Sequence, residues 1–164
     1  MATNQQSQVY GGSGGKAFDD LEHHPSIVRI RGLIVRSGNS VDSIQAVYQL
    51  KDGSTIVGPR HGGLGGSEKR FMLDEGELLI RMEGKTSGVL VDQLTFYSNR
   101  GKQYGPYGRS RTMPFETEGT ELTSFFGRCG KLVDAIGVRL TQSNPQGSSS
   151  YGNLQLLCMI IMCA

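Results

Sequence analysis

Three aspartates follow a glycine at the same distance and are the residues most able to do chemistry in this chain. The pattern Gly-x-x-x-Asp occurs in "GNSVD", "GVLVD" and "GKLVD", and its aspartates are Asp42, Asp92 and Asp134. A carboxylate can accept hydrogen bonds from two neighbouring hydroxyl groups, while free backbone N–H groups of the turn can donate. The pattern therefore predicts pockets for an uncharged polyol, because the aspartate would repel a phosphate.

Glycine-rich loops accompany the aspartate turns. They are "GGSGG" at residues 11–15, "GGLGG" at 62–66 and "GRSRT" at 108–112, here called the first, second and third loop. A loop without side chains can approach a carboxylate closely. A glycine cluster alone is usually a turn or linker, and an aspartate after glycine is usually a turn former. Repetition of the pair favours binding sites in which each loop faces an aspartate turn.

The elements that must position these residues are short strands. Seven runs rich in β-branched, aromatic and aliphatic residues are bounded by turn residues and begin at Ile27, Val41, Lys69, Glu77, Val89, Glu121 and Lys131. We find no long amphipathic helix. A turn, a strand and a loop repeated three times predict an all-β fold of three similar sheets around a pseudo-threefold axis, since one sheet alone cannot bury both faces.

Length and composition predict one domain with a single core. The chain has 164 residues and a net charge of +2, which argues against nucleic acid or an anionic membrane as the main partner. Its three cysteines, Cys129, Cys158 and Cys163, give no disulfide framework. No signal peptide or membrane-spanning segment is recognised, so a cytoplasmic location is the default expectation, with release or non-classical export left open.

An enzyme is not expected. His23 and His24 are adjacent and would diverge on a strand, and His61 precedes the second loop, so the histidines are expected at surface or turn positions. The three aspartates belong to separate repeats and do not form an acid/base pair. The sequence therefore predicts no catalytic residues, no metal site and no cofactor.

The domain boundaries follow from composition. Residues 1–8 are interpreted as an N-terminal extension, residues 9–141 as the domain, and residues 142–164 as a Gly/Ser-rich linker with an apolar tail. The tail "LQLLCMIIMCA" is too short to span a bilayer. It is interpreted as a strand or oligomer contact, or as an aggregation-prone or poorly ordered tail.

Three stretches resemble one known family. "VYGGSGGKAFDD" from Val9, "SNRGKQYGPYG" from Ser98 and "FFGRCGKLVDAIGV" from Phe125 are similar to the mannose-type jacalin-related lectins. The resemblance covers about residues 9–141. It implies a β-prism I of three four-stranded antiparallel sheets, and sugar binding without metal at one end of the prism.

The resemblance also assigns residues to three sites. The first site would comprise N–H donors and one carboxylate acceptor, from Gly15, Lys131, Leu132 and Asp134. The second would comprise Gly66, Asn39, Ser40 and Asp42. The third would comprise Leu90, Asp92 and Thr112, and is expected to be weak, because Arg111 and Thr112 replace glycines and would crowd it.

The resemblance further implies a sugar class. Galactose-specific members are cleaved at the first loop, whereas here that loop is internal, so mannose- or glucose-type glycans are expected as partners. Tyr107 and Phe18 lie near the loops in sequence, but core packing is the expected role of both. Exposed strand edges and the apolar tail favour a homo-oligomer, such as a dimer. The alternative is an interaction or targeting module, associated with a toxin or with defence, in which the prism is a scaffold.

Overall fold

The computed structural model describes residues 2–109 and 112–143. Within them lie thirteen strands and one short helix: β1 (Ala2–Gln6), β2 (Tyr10–Gly11), β3 (Lys16–Asp19), α1 (Asp20–His23), β4 (Ile27–Ser37), β5 (Val41–Leu50), β6 (Thr55–Gly62), β7 (Ser67–Met72), β8 (Leu79–Thr86), β9 (Val91–Ser98), β10 (Gln103–Gly108), β11 (Met113–Glu118), β12 (Glu121–Cys129) and β13 (Val133–Ser143). Arg111, Cys158, Cys163 and the predicted apolar tail lie outside the described residues, as does all but the start of the predicted linker.

The strands form three antiparallel sheets, which confirms the predicted all-β prism. Two sheets have the orders β6-β5-β4-β7 and β10-β9-β8-β11. The third has the order β1-β13-β12-β3, and β2 also pairs with β13. β1 and β2 pair with different parts of the same edge of β13. Together they take the place of one edge strand, so this sheet is also four strands wide.

Strand β1 lies within the segment interpreted as an N-terminal extension. It pairs along its whole length with the end of β13, from Ala2 opposite Ser143 to Gln6 opposite Arg139. The sequence patterns also did not predict β6, β10 and β11. These strands lie at sheet edges, and much of their surface is exposed. Short, exposed edge strands lack the apolar runs that identify a buried strand.

No helix in the described part of the chain is long and apolar enough to cross a membrane.

A buried valine orients each repeated aspartate. Val41, Val91 and Val133 are fully buried, and each immediately precedes the aspartate of its repeat. Successive side chains of a strand point to opposite faces, so a valine fixed in the core turns the next side chain outward. This alternation directs all three carboxylates away from the core.

The three aspartate turns and the three loops meet at one end of the prism. The first loop contacts the Asp92 turn at Val89, and the second contacts the Asp134 turn at Lys131. The third contacts the Asp42 turn, where the Arg109 N–H group donates to the Asn39 carbonyl at 3.4 Å. Each loop therefore bridges the turn of its own sheet and the turn of a neighbouring sheet, which closes a ring.

The core gathers side chains from all three sheets, and its largest buried members include Tyr48, Phe96 and Phe125. The rings of Phe96 and Phe125 meet edge to face, with centroids 5.9 Å apart. The Tyr48 hydroxyl donates to Asp20 Oδ2 at 2.6 Å and accepts from the Phe125 N–H group at 3.2 Å. This polar link joins β5, α1 and β12 inside the core.

The expected surface or turn position was wrong for His61, which lies in strand β6. It is buried, its Nε2 lies 2.5 Å from Asp20 Oδ1, and its ring stacks on Phe18 with centroids 3.7 Å apart. A buried carboxylate requires hydrogen-bonding partners, and His61 supplies one. His23 and His24 end the short helix α1 and do not lie on a strand.

Candidate functional site

The first site forms between the first loop and the Asp134 turn. A Cβ atom added at Gly14 would lie 2.5 Å from Asp134 Oδ1, and one added at Gly15 would lie 2.6 Å from Oδ2. Gly15 also has a φ of +65°, which favours glycine. Both carboxylate oxygens therefore face loop backbone, and any side chain at either glycine would displace the carboxylate.

The second site repeats this geometry with the second loop and the Asp42 turn. A Cβ atom added at Gly66 would lie 2.5 Å from Asp42 Oδ2, and one at Gly65 would collide with Oδ1. Gly66 has a φ of +64°, one degree from that of Gly15. The predicted pairs Gly15 with Asp134 and Gly66 with Asp42 are thus brought together in the same way.

The carboxylates of these two sites are free to accept hydrogen bonds. Within residues 2–109 and 112–143, no hydrogen bond ends on a side-chain oxygen of Asp42 or Asp134. The Asp92 carboxylate differs: Oδ1 accepts from the Ser40 hydroxyl at 3.1 Å and Oδ2 accepts from the Thr112 hydroxyl at 2.8 Å. The third site therefore has no carboxylate oxygen without a protein donor.

The turn N–H groups show the same contrast. The predicted donors Lys131 and Leu132 make no backbone hydrogen bond through N–H in the described part of the chain; their turn is closed by the Gly130 N–H group donating to the Leu132 carbonyl at 3.0 Å. In the third site, the Ser87 hydroxyl oxygen accepts from Val89 and Leu90 N–H at 3.4 and 3.2 Å. The predicted residue Leu90 thus has its N–H group engaged within the turn.

Three residues predicted at the sites have side chains at the third site. Ser40, assigned to the second site, directs its hydroxyl to Asp92 of the third. Thr112, expected to crowd the third site, bonds to its aspartate directly. Asn39 belongs to the Asp42 turn but also lines a cavity of about 400 Å³ beside the third site, together with Ser87, Asp92, Arg109 and Thr112.

Sequence reasoning missed two arginines. Arg36 and Arg128 each lie two residues before the glycine of an aspartate turn and donate to carbonyls of the glycine loops. Thr86 occupies the corresponding position of the third repeat. The pattern Arg-x-Gly occurs at two of the three turns and could have identified these arginines. The repeats were compared only from the glycine onward, so the two residues before it were left out.

The remaining predicted side chains lie away from solvent or stack on other residues. Tyr107 is buried in the core, and Phe18 stacks on His61. Cys129 lies between Arg128 and Gly130, the glycine of the Asp134 turn. Burial raises the pKa of its thiol. Among residues 2–109 and 112–143, no group of three or more His, Cys, Asp or Glu side chains is placed to hold a metal ion.

Comparison with known proteins gives consistent matches. The model of the jacalin-like lectin domain matches residues 7–139. An agglutinin of Castanea crenata is 34% identical over 80% of this chain and 45% of its own length. Horcolin of Hordeum vulgare is 30% identical over 80% of this chain and 93% of its own length.

Solved structures agree with the sequence matches. A structure described as a mannose-binding jacalin-related lectin from Ananas comosus has a TM-score of 0.76 and 31% identity, covering 86% of this chain and 99% of that one. The chain spans less than half the length of some curated relatives, such as the Castanea crenata agglutinin.

Proposed function

The chain belongs to the jacalin-like lectin domain family, and on this premise we propose that it binds mannose- or glucose-type glycans at the first and second sites, without a metal ion. The observation that carries the proposal is the free carboxylate in each of these sites. Each carboxylate lies against a loop of glycines and a turn in which the two N–H groups after the glycine have no hydrogen-bond partner in the described part of the chain; these are Lys131 and Leu132 in the first site and Asn39 and Ser40 in the second.

This arrangement suits neighbouring hydroxyl groups of a sugar. Each aspartate offers two acceptor oxygens, and the loop and turn offer N–H donors. A hydrogen bond to a charged group contributes about 1.5–3 kcal/mol net, so two sugar hydroxyls on one carboxylate account for most of the affinity expected of a shallow site. In the first site the donors would be Gly15, Lys131 and Leu132, and Asp134 would be the acceptor.

Mannose-type recognition is supported by similarity. The Ananas comosus structure is described as mannose-binding and matches this chain over most of both proteins. The absence of a metal requirement is proposed because each site holds a single carboxylate, whereas calcium is bound by six to eight oxygen ligands. A sugar can instead be held by direct hydrogen bonds from the protein.

The third site is proposed to be weak or inactive for these sugars. The hydroxyls of Ser40 and Thr112 donate hydrogen bonds to the Asp92 carboxylate. The Ser87 hydroxyl oxygen accepts hydrogen bonds from two N–H groups of the turn. A sugar would have to displace these internal hydrogen bonds and would gain little from the exchange. Two sites on each chain are therefore expected to bind.

Isothermal titration with methyl α-mannoside tests the proposal. We expect two sites per chain in the parent, one after either Asp42→Ala or Asp134→Ala, and none in the double variant. Titration after treatment with a chelator should give the same result as before. Methyl β-galactoside is the control ligand, and Asp52→Ala, a change at an exposed turn carboxylate, is the control variant.

Absence of heat with methyl α-mannoside, glucosides and branched mannose glycans would contradict the proposed function. Binding that persists in the double variant would show that the sugar is bound somewhere other than the two aspartate sites. Binding that disappears with chelator would contradict metal independence only.

A further inference from the structure

An arginine lies behind the glycine loop of each proposed site. In the first site, Arg128 Nε donates to the Gly14 carbonyl at 2.9 Å and Nη2 donates to the Gly15 carbonyl at 2.9 Å. In the second, Arg36 Nε donates to the Gly65 carbonyl at 2.9 Å and Nη2 donates to the Gly66 carbonyl at 3.0 Å. The same guanidinium atoms thus hold equivalent carbonyls in two repeats.

These contacts involve the peptide group that carries the proposed donor. The Gly14 carbonyl and the Gly15 N–H group belong to one peptide plane, as do the Gly65 carbonyl and the Gly66 N–H group. In a trans peptide the N–H and C=O bonds point in opposite directions. An arginine that fixes the carbonyl on one side therefore fixes the direction of the N–H group on the other.

The positive charge also affects the strength of that donor. A hydrogen bond from a cation to a carbonyl withdraws electron density through the peptide group, and linked hydrogen bonds polarise one another. The N–H group of the same peptide becomes a better donor to a sugar oxygen. The planar guanidinium spans two adjacent carbonyls, which a single ammonium group does not do with the same geometry.

The third repeat lacks this arrangement. Thr86 stands where Arg36 and Arg128 stand, and its hydroxyl donates to the Leu90 carbonyl at 2.8 Å within its own turn. The arginine is therefore present in the two repeats with glycine loops and free aspartates, and missing from the repeat whose aspartate is already bonded. This coincidence ties the arginine to the binding geometry and not to the fold, because all three sheets form.

We propose that Arg128 and Arg36 are positioning residues, each of which orients and polarises the loop peptide whose N–H group donates to the bound sugar. The proposal rests on the proposed sugar sites, and the experiment separates the two.

The first measurement does not require a sugar. The backbone amide signals of Gly15 and Gly66 are followed by NMR in the parent, Arg128→Met, Arg36→Met and Arg100→Met. Arg100 is the matched control, because its Nη2 donates to the Glu75 carbonyl elsewhere in the prism. We expect an upfield shift of the Gly15 amide proton in Arg128→Met only, and of the Gly66 amide proton in Arg36→Met only.

The second measurement is sugar affinity in single-site backgrounds. With Asp42→Ala as background, only the first site binds, and Arg128→Met should weaken methyl α-mannoside binding by up to about tenfold, the upper limit for losing the hydrogen bond between the uncharged Gly15 N–H group and a sugar oxygen. Arg128→Lys should recover part of the loss. The Asp134→Ala background tests Arg36 in the same way, and Arg100→Met should leave affinity unchanged in both.

Unchanged affinity together with unchanged glycine amide shifts in the arginine variants would overturn the proposal. Equal losses at both sites from a single arginine variant would also overturn it, because they would indicate a general loss of structure. A parent that binds none of the sugars named above would contradict the proposed function, while the amide shifts would still test the role of the arginines.

Discussion

Replacing Asp92 with alanine should lower stability without lowering the number of sugar sites, and replacing Asp42 should do the reverse. The two aspartates occupy the same position in two repeats, but their surroundings differ. Asp92 accepts hydrogen bonds from the Ser40 hydroxyl of the Asp42 turn and from the Thr112 hydroxyl of the third loop. Asp42 accepts none from side chains or backbone in the described part of the chain.

The magnitude follows from the two hydroxyl contacts. Each hydrogen bond to a charged group is worth about 1.5–3 kcal/mol, but Asp92 is partly exposed and the freed hydroxyls can bond to water. We therefore expect Asp92→Ala to reduce the free energy of unfolding by about 1.5–3 kcal/mol in total. For a domain of this size that lowers Tm by roughly 3–12 °C.

The assay combines thermal unfolding with titration of methyl α-mannoside. Asp92→Ala should melt earlier and keep two sites, while Asp42→Ala should melt within about 2 °C of the parent and keep one. Thr112→Val provides a second test, because it retains the shape of the side chain and removes only the hydroxyl donor to Asp92. It should show about half the stability loss of Asp92→Ala.

Loss of a sugar site in Asp92→Ala with no change in Tm would contradict this prediction. That result would mean that the hydroxyls of Ser40 and Thr112 leave the carboxylate readily and that the third site binds like the others.

Further predictions concern the second site, the core and avidity. Gly66→Ala should abolish the second site in titrations, because the added Cβ would lie 2.5 Å from Asp42 Oδ2 in a backbone with positive φ. Tyr48→Phe should lower unfolding free energy in urea by about 1.5–3 kcal/mol, since it removes the hydroxyl bonded to buried Asp20. Burial alone would raise the pKa of Glu77, but the hydrogen bond from the Tyr104 hydroxyl and the ion pair with Lys102 at 3.3 Å hold that pKa below its usual value. Its stabilising effect is therefore present above the unfolded pKa and lost as pH falls through the folded pKa, so Glu77→Gln should reduce the urea midpoint at pH 7 more than at pH 3. A branched mannose glycan should bind roughly 10²–10⁴-fold more tightly than the monosaccharide if one glycan reaches two sites on a chain or dimer, and equal affinities by titration would exclude this.

Local sequence pattern was sufficient for the turns, the loops and the fold class. A valine followed by an aspartate after a glycine turn specifies which side chain is buried and which faces outward, because strand alternation is a local property. The pairing of Gly15 with Asp134 and of Gly66 with Asp42 came from resemblance to the jacalin-related lectins. The structure places both pairs together with nearly identical geometry.

Only the tertiary structure decided which of the three aspartates is free. The donors to Asp92 come from Ser40, 52 residues away, and Thr112, 20 residues away. The buried partner of His61 is Asp20, 41 residues away, and the loop carbonyls held by Arg128 are more than a hundred residues away from it. Sequence repetition makes the three turns look equivalent. The Ser40 hydroxyl reaches Asp92 from another sheet, and the Thr112 hydroxyl reaches it from a loop of the same sheet, so these contacts depend on how sheets and loops pack. They are what distinguish the bonded carboxylate of Asp92 from the free carboxylates of Asp42 and Asp134.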